Sequence, residues 1–198
     1  MNYSLGNFLN PIPTWNLPEK RKIFVSYHHE NDQDYYDKLS TLLEKDYVPI
    51  YDNSLDRNVE SDNSDYVIQR IRDNYIKGTS CTIVLCGSES SQRKYIDWEI
   101  KGTLEKEHGL LGIALPTCPT DLAGKYYVPG RLYDNIASGY AQLIMWSTLF
   151  PPITLANMMT IPPIIGNTLK SYIDNAALKP KKLILNTREN MNRNGEPK

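Results

Sequence analysis

Cysteine is scarce in this chain. Only Cys81, Cys86 and Cys118 occur among 198 residues, an odd number without metal-ligand spacing, which suits a reducing compartment better than a disulfide framework. Net charge is lacking too: 22 Lys plus Arg against 23 Asp plus Glu leave a formal charge of -1. With no basic or acidic excess, neither nucleic acid nor an anionic membrane is an expected partner. No apolar run approaches the ~20 residues of a membrane span. The start, MNYSLGNFLNPIPTWNLPEKRK, has no basic segment followed by an apolar one, so a soluble, unsecreted, cytoplasmic protein is expected. There is no GxGxxG after the first apolar run, no P-loop pattern, no HExxH and no GxSxG. Dinucleotide-fold dehydrogenases, P-loop enzymes, zincins and α/β-hydrolases therefore lose their sequence warrant. The three histidines, His28, His29 and His108, form no recognisable metal set, and no metal is expected.

What is present is an alternation of short apolar runs and helical periodicities. Residues 1–21 carry Pro11, Pro13 and Pro18 and read as an arm, with Trp15 available to dock it. KIFVSY (22–27) reads as a buried strand, and Tyr35, Leu39, Leu42 and Leu43 as a helix from Asp34 with Asn31 or Asp32 as N-cap. YVPIYD (47–52) reads as a second strand, which Pro49 assigns to a sheet edge. After a polar loop, Val67, Ile68, Ile71 and Tyr75 share a helical stripe that Gly78 terminates. A third strand at 80–87, a helix at 92–107 and a strand at 110–116 follow. A long loop with Pro119, Gly124, Pro129 and Gly130 leads to a fifth strand at 141–147, and Leu169, Tyr172, Ile173 and Ala176 suggest a last helix. The order βαβαβαβ predicts an α/β fold: an open, doubly wound, mostly parallel five-stranded sheet of flavodoxin-like type, with helices on both faces. Residues 22–177 form this domain; 178–198, poor in apolar residues at its end, is expected to be a disordered tail.

Such sheets bind ligands in the crevice at the carboxyl ends of their strands. The residues just past those ends are Ser26, Tyr27, His28 and His29, then Asp52, Asn53 and Ser54, then Gly87 and Ser88. In the helix that follows, taking Ile96 as zero and about 100° per residue, Thr103, Ile100 and Leu104 form the buried stripe. Glu99 falls on its shoulder, at about -60°, with Tyr95 one turn before it. Two readings stay open: a rim glutamate whose stem covers apolar surface, or a carboxylate lining a cleft. Cys86 sits inside a strand and reads as a small buried hydrophobe rather than a nucleophile. His108, near a helix end, reads as structural, a cation favoured by the dipole.

KIFVSY, the short strand ending in Asp52, and TIVLCGSESSQRKYIDWEIKGTLEKEHGLLGIALP together resemble a TIR domain, and more narrowly the TIR-like proteins of Thoeris-type antiphage systems. The likeness covers residues 22–116 well and 117–177 by layout. Its most specific part is the block from Gly87 to Ile100, with a Gly-Ser turn, Arg93, Tyr95 and the pair Glu99-Ile100. The resemblance implies an enzyme that cleaves the nicotinamide-ribose bond of NAD+, as substrate and without a further cofactor, to an ADP-ribose-derived signal, cyclic on this reading, in antiphage defence. It implies Glu99 as the catalytic residue and Phe24, Ser26, Tyr27, His28, His29, Asp52, Ser54, Gly87, Ser88 and Tyr95 as substrate-binding. The loop shaping the site's entrance would be 52–65. Implied partners are further copies through TIR-TIR contacts and a separate effector protein sensing the product. Two rival expectations are a non-catalytic TIR scaffold and a nucleoside deoxyribosyltransferase-like enzyme.

Overall fold

The structure, a computed structural model of the chain, describes residues 19–51, 64–152 and 161–190. The elements run β1 (Arg21–Ser26), α1 (His29–Leu43), β2 (Tyr47–Ile50), α2 (Ser64–Ile71), β3 (Thr79–Cys86), α3 (Lys94–Glu105), β4 (Gly109–Ala114), α4 (Gly130–Ala137), β5 (Gln142–Met145), α5 (Trp146–Leu149) and α6 (Ile161–Ala177). The five strands make one sheet in the order β2-β1-β3-β4-β5, and every pairing is parallel. β2 is an edge, where Pro49 costs no ladder hydrogen bond on its open side.

Alternation along each strand sends side chains to two layers. Ile23, Val25, Ile83, Leu85, Leu111 and Ile113 pack on Tyr36, Leu39 and Leu43 of α1 and on Leu169 and Ile173 of α6. On the other side Val84, Cys86, Leu110 and Ala114 meet Ile96, Ile100 and Leu104 of α3 and Leu132 of α4. Phe24 meets Val67, Ile68 and Ile71 of α2 together with Trp98. Buried on both faces, β3 and β4 consist of nearly continuous β-formers and small residues. α2 ends in a π turn, Arg72–Ile76, and Gly78 follows with φ 83°, the left-handed conformation that releases the chain into β3.

Three expectations change. α1 starts at His29 with His28 at its N-cap, ahead of Asp34, so neither Asn31 nor Asp32 caps it. The stretch read as a long loop contains α4, opened by Pro129 at its N-cap, where the missing N–H costs nothing. The supposed disordered tail is fixed as far as Asn190: after α6 the chain makes a 3-10 turn, Lys181–Leu183, and then lies against α4. Arg21, assigned to the arm, belongs to β1; Trp15 and residues 191–198 lie outside the described residues. Among the described residues, no helix is long and apolar enough to cross a membrane.

Candidate active site

β1 and β3 are neighbours, while the chain leaves β1 toward β2 on its other side. This is the point where strand order reverses, the place at the carboxyl ends where sheets of this kind bind their ligands. Ser26 ends β1 on the face toward α3, and Glu99 stands in the second turn of α3. The Ser26 hydroxyl donates to Glu99 Oε2 at 2.5 Å. Glu99 is 6% exposed, and the reading as a solvated rim glutamate is thereby set aside. Its backbone is held as well. Thr103 Oγ1 donates to the Glu99 carbonyl at 2.8 Å and meets Thr82 Oγ1 of β3 at 2.7 Å, a polar rivet between helix and sheet.

The turn after β3 and the first turn of α3, next to this pair in the chain, carry small and aromatic residues. Tyr95 stands edge-on to Trp98, ring centroids 5.3 Å apart, and Lys94 Nζ lies 4.7 Å from the Tyr95 ring centre. Gly87 follows β3; its N–H donates to Ser90 Oγ at 2.7 Å, which donates in turn to the Leu85 carbonyl. Glycine is required there by space: a Cβ would stand 2.2 Å from Asp32 Oδ1. Ser88 is exposed on the turn beyond, and Glu89 and Arg93 pair across it.

Asp32, which the sequence offers only as a helix cap, is fully buried instead, and neither carboxylate oxygen makes a hydrogen bond of good geometry. Burial pushes its carboxyl up to about 6; the Glu89 charge adds to this and the His28 backbone opposes it.

Adjacent strand residues face opposite layers, and that separates the expected binding set. Ser26 reaches Glu99, but Tyr27 turns to the α1 layer. There it stacks on Tyr36 at 4.6 Å, lies 4.2 Å from the His29 ring and donates its hydroxyl to Gln33. Tyr27 and His29 thus form an aromatic cluster with Tyr51, away from the Glu99 side of the sheet. His28 is buried between β1 and α1. Phe24 is fully buried below Ser26 and packs on Trp98 rather than facing the crevice. Asp52, Ser54 and most of the 52–65 loop lie outside the described residues.

Burial drives the Cys86 thiol well above its ordinary range, which leaves it without nucleophilic thiolate. His108 is no dipole cation: burial lowers its pKa, as do Lys181 and Lys106, and Nδ1 lies 3.1 Å from Thr79 Oγ1.

Sequence reasoning missed the ion pair behind α3. Asp97 takes a bidentate contact from Arg131 of α4, Nε to Oδ1 at 3.0 Å and Nη2 to Oδ2 at 3.2 Å, with the arginine side chain 0% and the aspartate 2% exposed. The signal was available: the same wheel puts Asp97 at about 100°, near the buried arc, where an acid demands a cation.

Comparison with known proteins places the segment that carries Ser26 and Glu99 beside a known family. Residues 24–120 match the family described as "Thoeris protein ThsB, TIR-like domain". A Bacillus cereus (strain MSX-D12) protein, named provisionally as cyclic ADP-D-ribose synthase ThsB1, is 26% identical over 98 residues, which cover 47% of this chain and 50% of that protein. The chain thus matches about half the length of this curated relative. Among solved structures, the TIR domains of the activated Roq1 resistosome recognising the effector XopQ align over 49% of this chain and 58% of theirs. Their identity is 14% and the TM-score 0.34, a likeness too distant to carry weight. The chain is thus similar over residues 24–120 to the TIR-like domain of the Thoeris ThsB family, and its five-stranded parallel sheet is in keeping with that likeness.

Proposed function

We propose that the chain cleaves the nicotinamide-ribose bond of NAD+ and releases an ADP-ribose-derived signal, with Glu99 as the catalytic carboxylate. The observation that supports this most is the buried Ser26–Glu99 pair at the β1/β3 switch point. Nicotinamide departs as a neutral molecule from a cationic ring, so a second carboxyl acting as general acid, required for most glycosides, is not needed. The chemical demand is on the ribose, whose anomeric carbon becomes oxocarbenium-like as the bond breaks. A carboxylate largely removed from water acts on that charge through a lower effective dielectric than one in solvent. Ser26 fixes the direction of the carboxylate in advance, which removes reorganisation from the reaction step. The product then depends on what is held against the open face of the ribose. Water gives ADP-ribose, and a nitrogen or hydroxyl of the same molecule gives a ring, favoured by its high effective concentration. The relative's printed name is in keeping with ring closure. On this reading the protein works in the cytoplasm in antiphage defence, assembles through TIR-TIR contacts and signals to a separate effector protein.

The test is Glu99→Gln, which keeps side-chain shape and removes its charge. Nicotinamide release from NAD+ should fall by two to three powers of ten, the usual worth of one such electrostatic contact. Circular dichroism should be unchanged. The parallel measurement on the parent, with and without lysate of phage-infected cells, supplies the activated reference. A folded Glu99→Gln chain that releases nicotinamide at the parental rate sinks the assignment.

A further inference from the structure

Residues 185–189 lie against α4, whose Arg131 holds Asp97 on the flank of α3 opposite Glu99. Arg131 Nη1 donates to Asn186 Oδ1 at 2.8 Å and Nη2 to the Glu189 carbonyl at 3.3 Å, while the remaining donors of the fork hold Asp97. Asn135 of α4 exchanges two hydrogen bonds with Leu185, giving Nδ2–H to the carbonyl at 2.7 Å and taking the backbone N–H at 3.0 Å. Arg188 clamps Asp134, Nε donating to Oδ2 at 2.8 Å and Nη2 to Oδ1 at 2.9 Å. Asn190 reaches Asp65 at the start of α2 at 3.3 Å. Residues 185–190 thus bond to α4 and α2 directly and reach α3 through Arg131 and Asp97.

Asp97 and Glu99 are two residues apart on α3 and so lie on opposite flanks, about 160° around the axis. A helix whose two flanks are pinned at these points cannot roll on the sheet. Roll is the motion that would lift the Glu99 carboxylate off Ser26, because the stripe between them is made only of apolar contacts and the threonine rivet. Arg131 suits this role because its planar fork serves Asp97 and the segment at once, and its burial excludes water from the bonds to Asp97 while those to the segment are half-buried.

We propose that residues 185–189 are a clasp that sets the rotation of α3, which makes Arg131 and Asn186 positioning residues for Glu99. The effect on turnover rests on Glu99 being the catalytic carboxylate; the effect on the helix does not. The test uses the full chain carrying Asn186→Ala and Arg188→Ala together, since neither change takes the guanidinium from Asp97. Amide hydrogen exchange across residues 97–104 should become at least tenfold faster while α1 keeps its parental protection. In the same variant kcat for nicotinamide release should drop about tenfold, with KM for NAD+ within twofold, because the carboxylate is misplaced rather than the substrate pocket lost. Asn186→Asp on the Arg188→Ala background restores an acceptor to Arg131 and should return both readouts most of the way. Protection of α3 equal to the parent's, or loss spread evenly over all helices, overturns the clasp. Faster exchange in α3 with an unchanged kcat overturns its bearing on Glu99. If the activated parent releases no nicotinamide, it is the NAD+ reading that fails, and exchange alone decides the clasp.

Discussion

Replacing Arg131 by methionine removes the guanidinium from a fully buried site and leaves the Asp97 carboxylate where water cannot reach it. Breaking a buried pair on one side costs ~3–5 kcal/mol, far more than a surface pair, because the remaining charge keeps its desolvation penalty and loses its partner. The Asn186 oxygen and the Glu189 carbonyl lose donors at the same stroke, but they are only partly buried and water can take the donors' place, so they add little. For a chain of this size each kcal/mol moves the melting temperature by roughly 2–4 °C, so a drop of about 6–20 °C is expected. Thermal unfolding followed by circular dichroism reads it. The companion variant Arg131→Met with Asp97→Leu removes both charges and substitutes apolar groups of similar volume. It should recover more than half of the loss, the signature that separates an uncompensated charge from mere lost packing. A single Arg131→Met chain melting within about 3 °C of the parent, or a double variant no better than the single, refutes the reasoning.

Two further predictions concern the crevice. Burial holds the folded Asp32 carboxyl at about 6 against an ordinary 3.8. The folded chain thus binds that proton more tightly than the unfolded chain, and the stability it contributes is complete below about pH 4 and lost as pH rises through 6, by on the order of 3 kcal/mol. Asp32→Asn cannot ionise, so its urea midpoint should exceed the parent's at about pH 7.5 and approach it at about pH 4; a gap independent of pH would falsify burial of the carboxylate as its cause. Ser26→Ala removes the hydrogen bond to Glu99, worth ~1.5–3 kcal/mol when the acceptor is charged, and should cut nicotinamide release roughly tenfold to a hundredfold. Unchanged kinetics in a folded Ser26→Ala chain would show that the hydroxyl does not orient the carboxylate.

The sheet was legible because parallel strands buried on both faces must be unbroken runs of β-formers, and TIVLC and LLGIA are such runs. Glu99 was legible through helical geometry, which placed it beside the buried stripe of α3. α4 was not, because Arg131 and Asn135 occupy buried positions where periodicity looks for apolar residues, and Pro129-Gly130 reads as a turn. The closing segment escaped for a related reason: it is held by carbonyls and amides rather than by apolar side chains, and hydrophobic patterning carries no trace of that. Tyr27 could have been separated from Ser26 by alternation alone, since consecutive extended residues cannot both point at α3, whereas His29 opens α1, where strand alternation no longer applies. Asp32 shows the limit of a local rule, for an acid near a helix start is usually a cap, and only the open face of Gly87 lets it bury instead.

The separation of the parts along the chain has a consequence for synthesis. Ser26 and Glu99 are 73 residues apart, joined only when β1 has paired with β3 across the intervening α1 and β2. A nascent chain emerging as far as β4 has both groups in hand, yet Asp97 has no Arg131 to neutralise it, and Arg131 in turn awaits Asn186, 55 residues further on. Domains assembled from contacts so distant in sequence form late, after the loop-closing entropy has been met. A half-made polypeptide on the ribosome therefore holds its carboxylate on an unanchored helix, and, with the function proposed above, a fragment that stops short of Asn186 draws on the cell's NAD+ more slowly than the finished chain does.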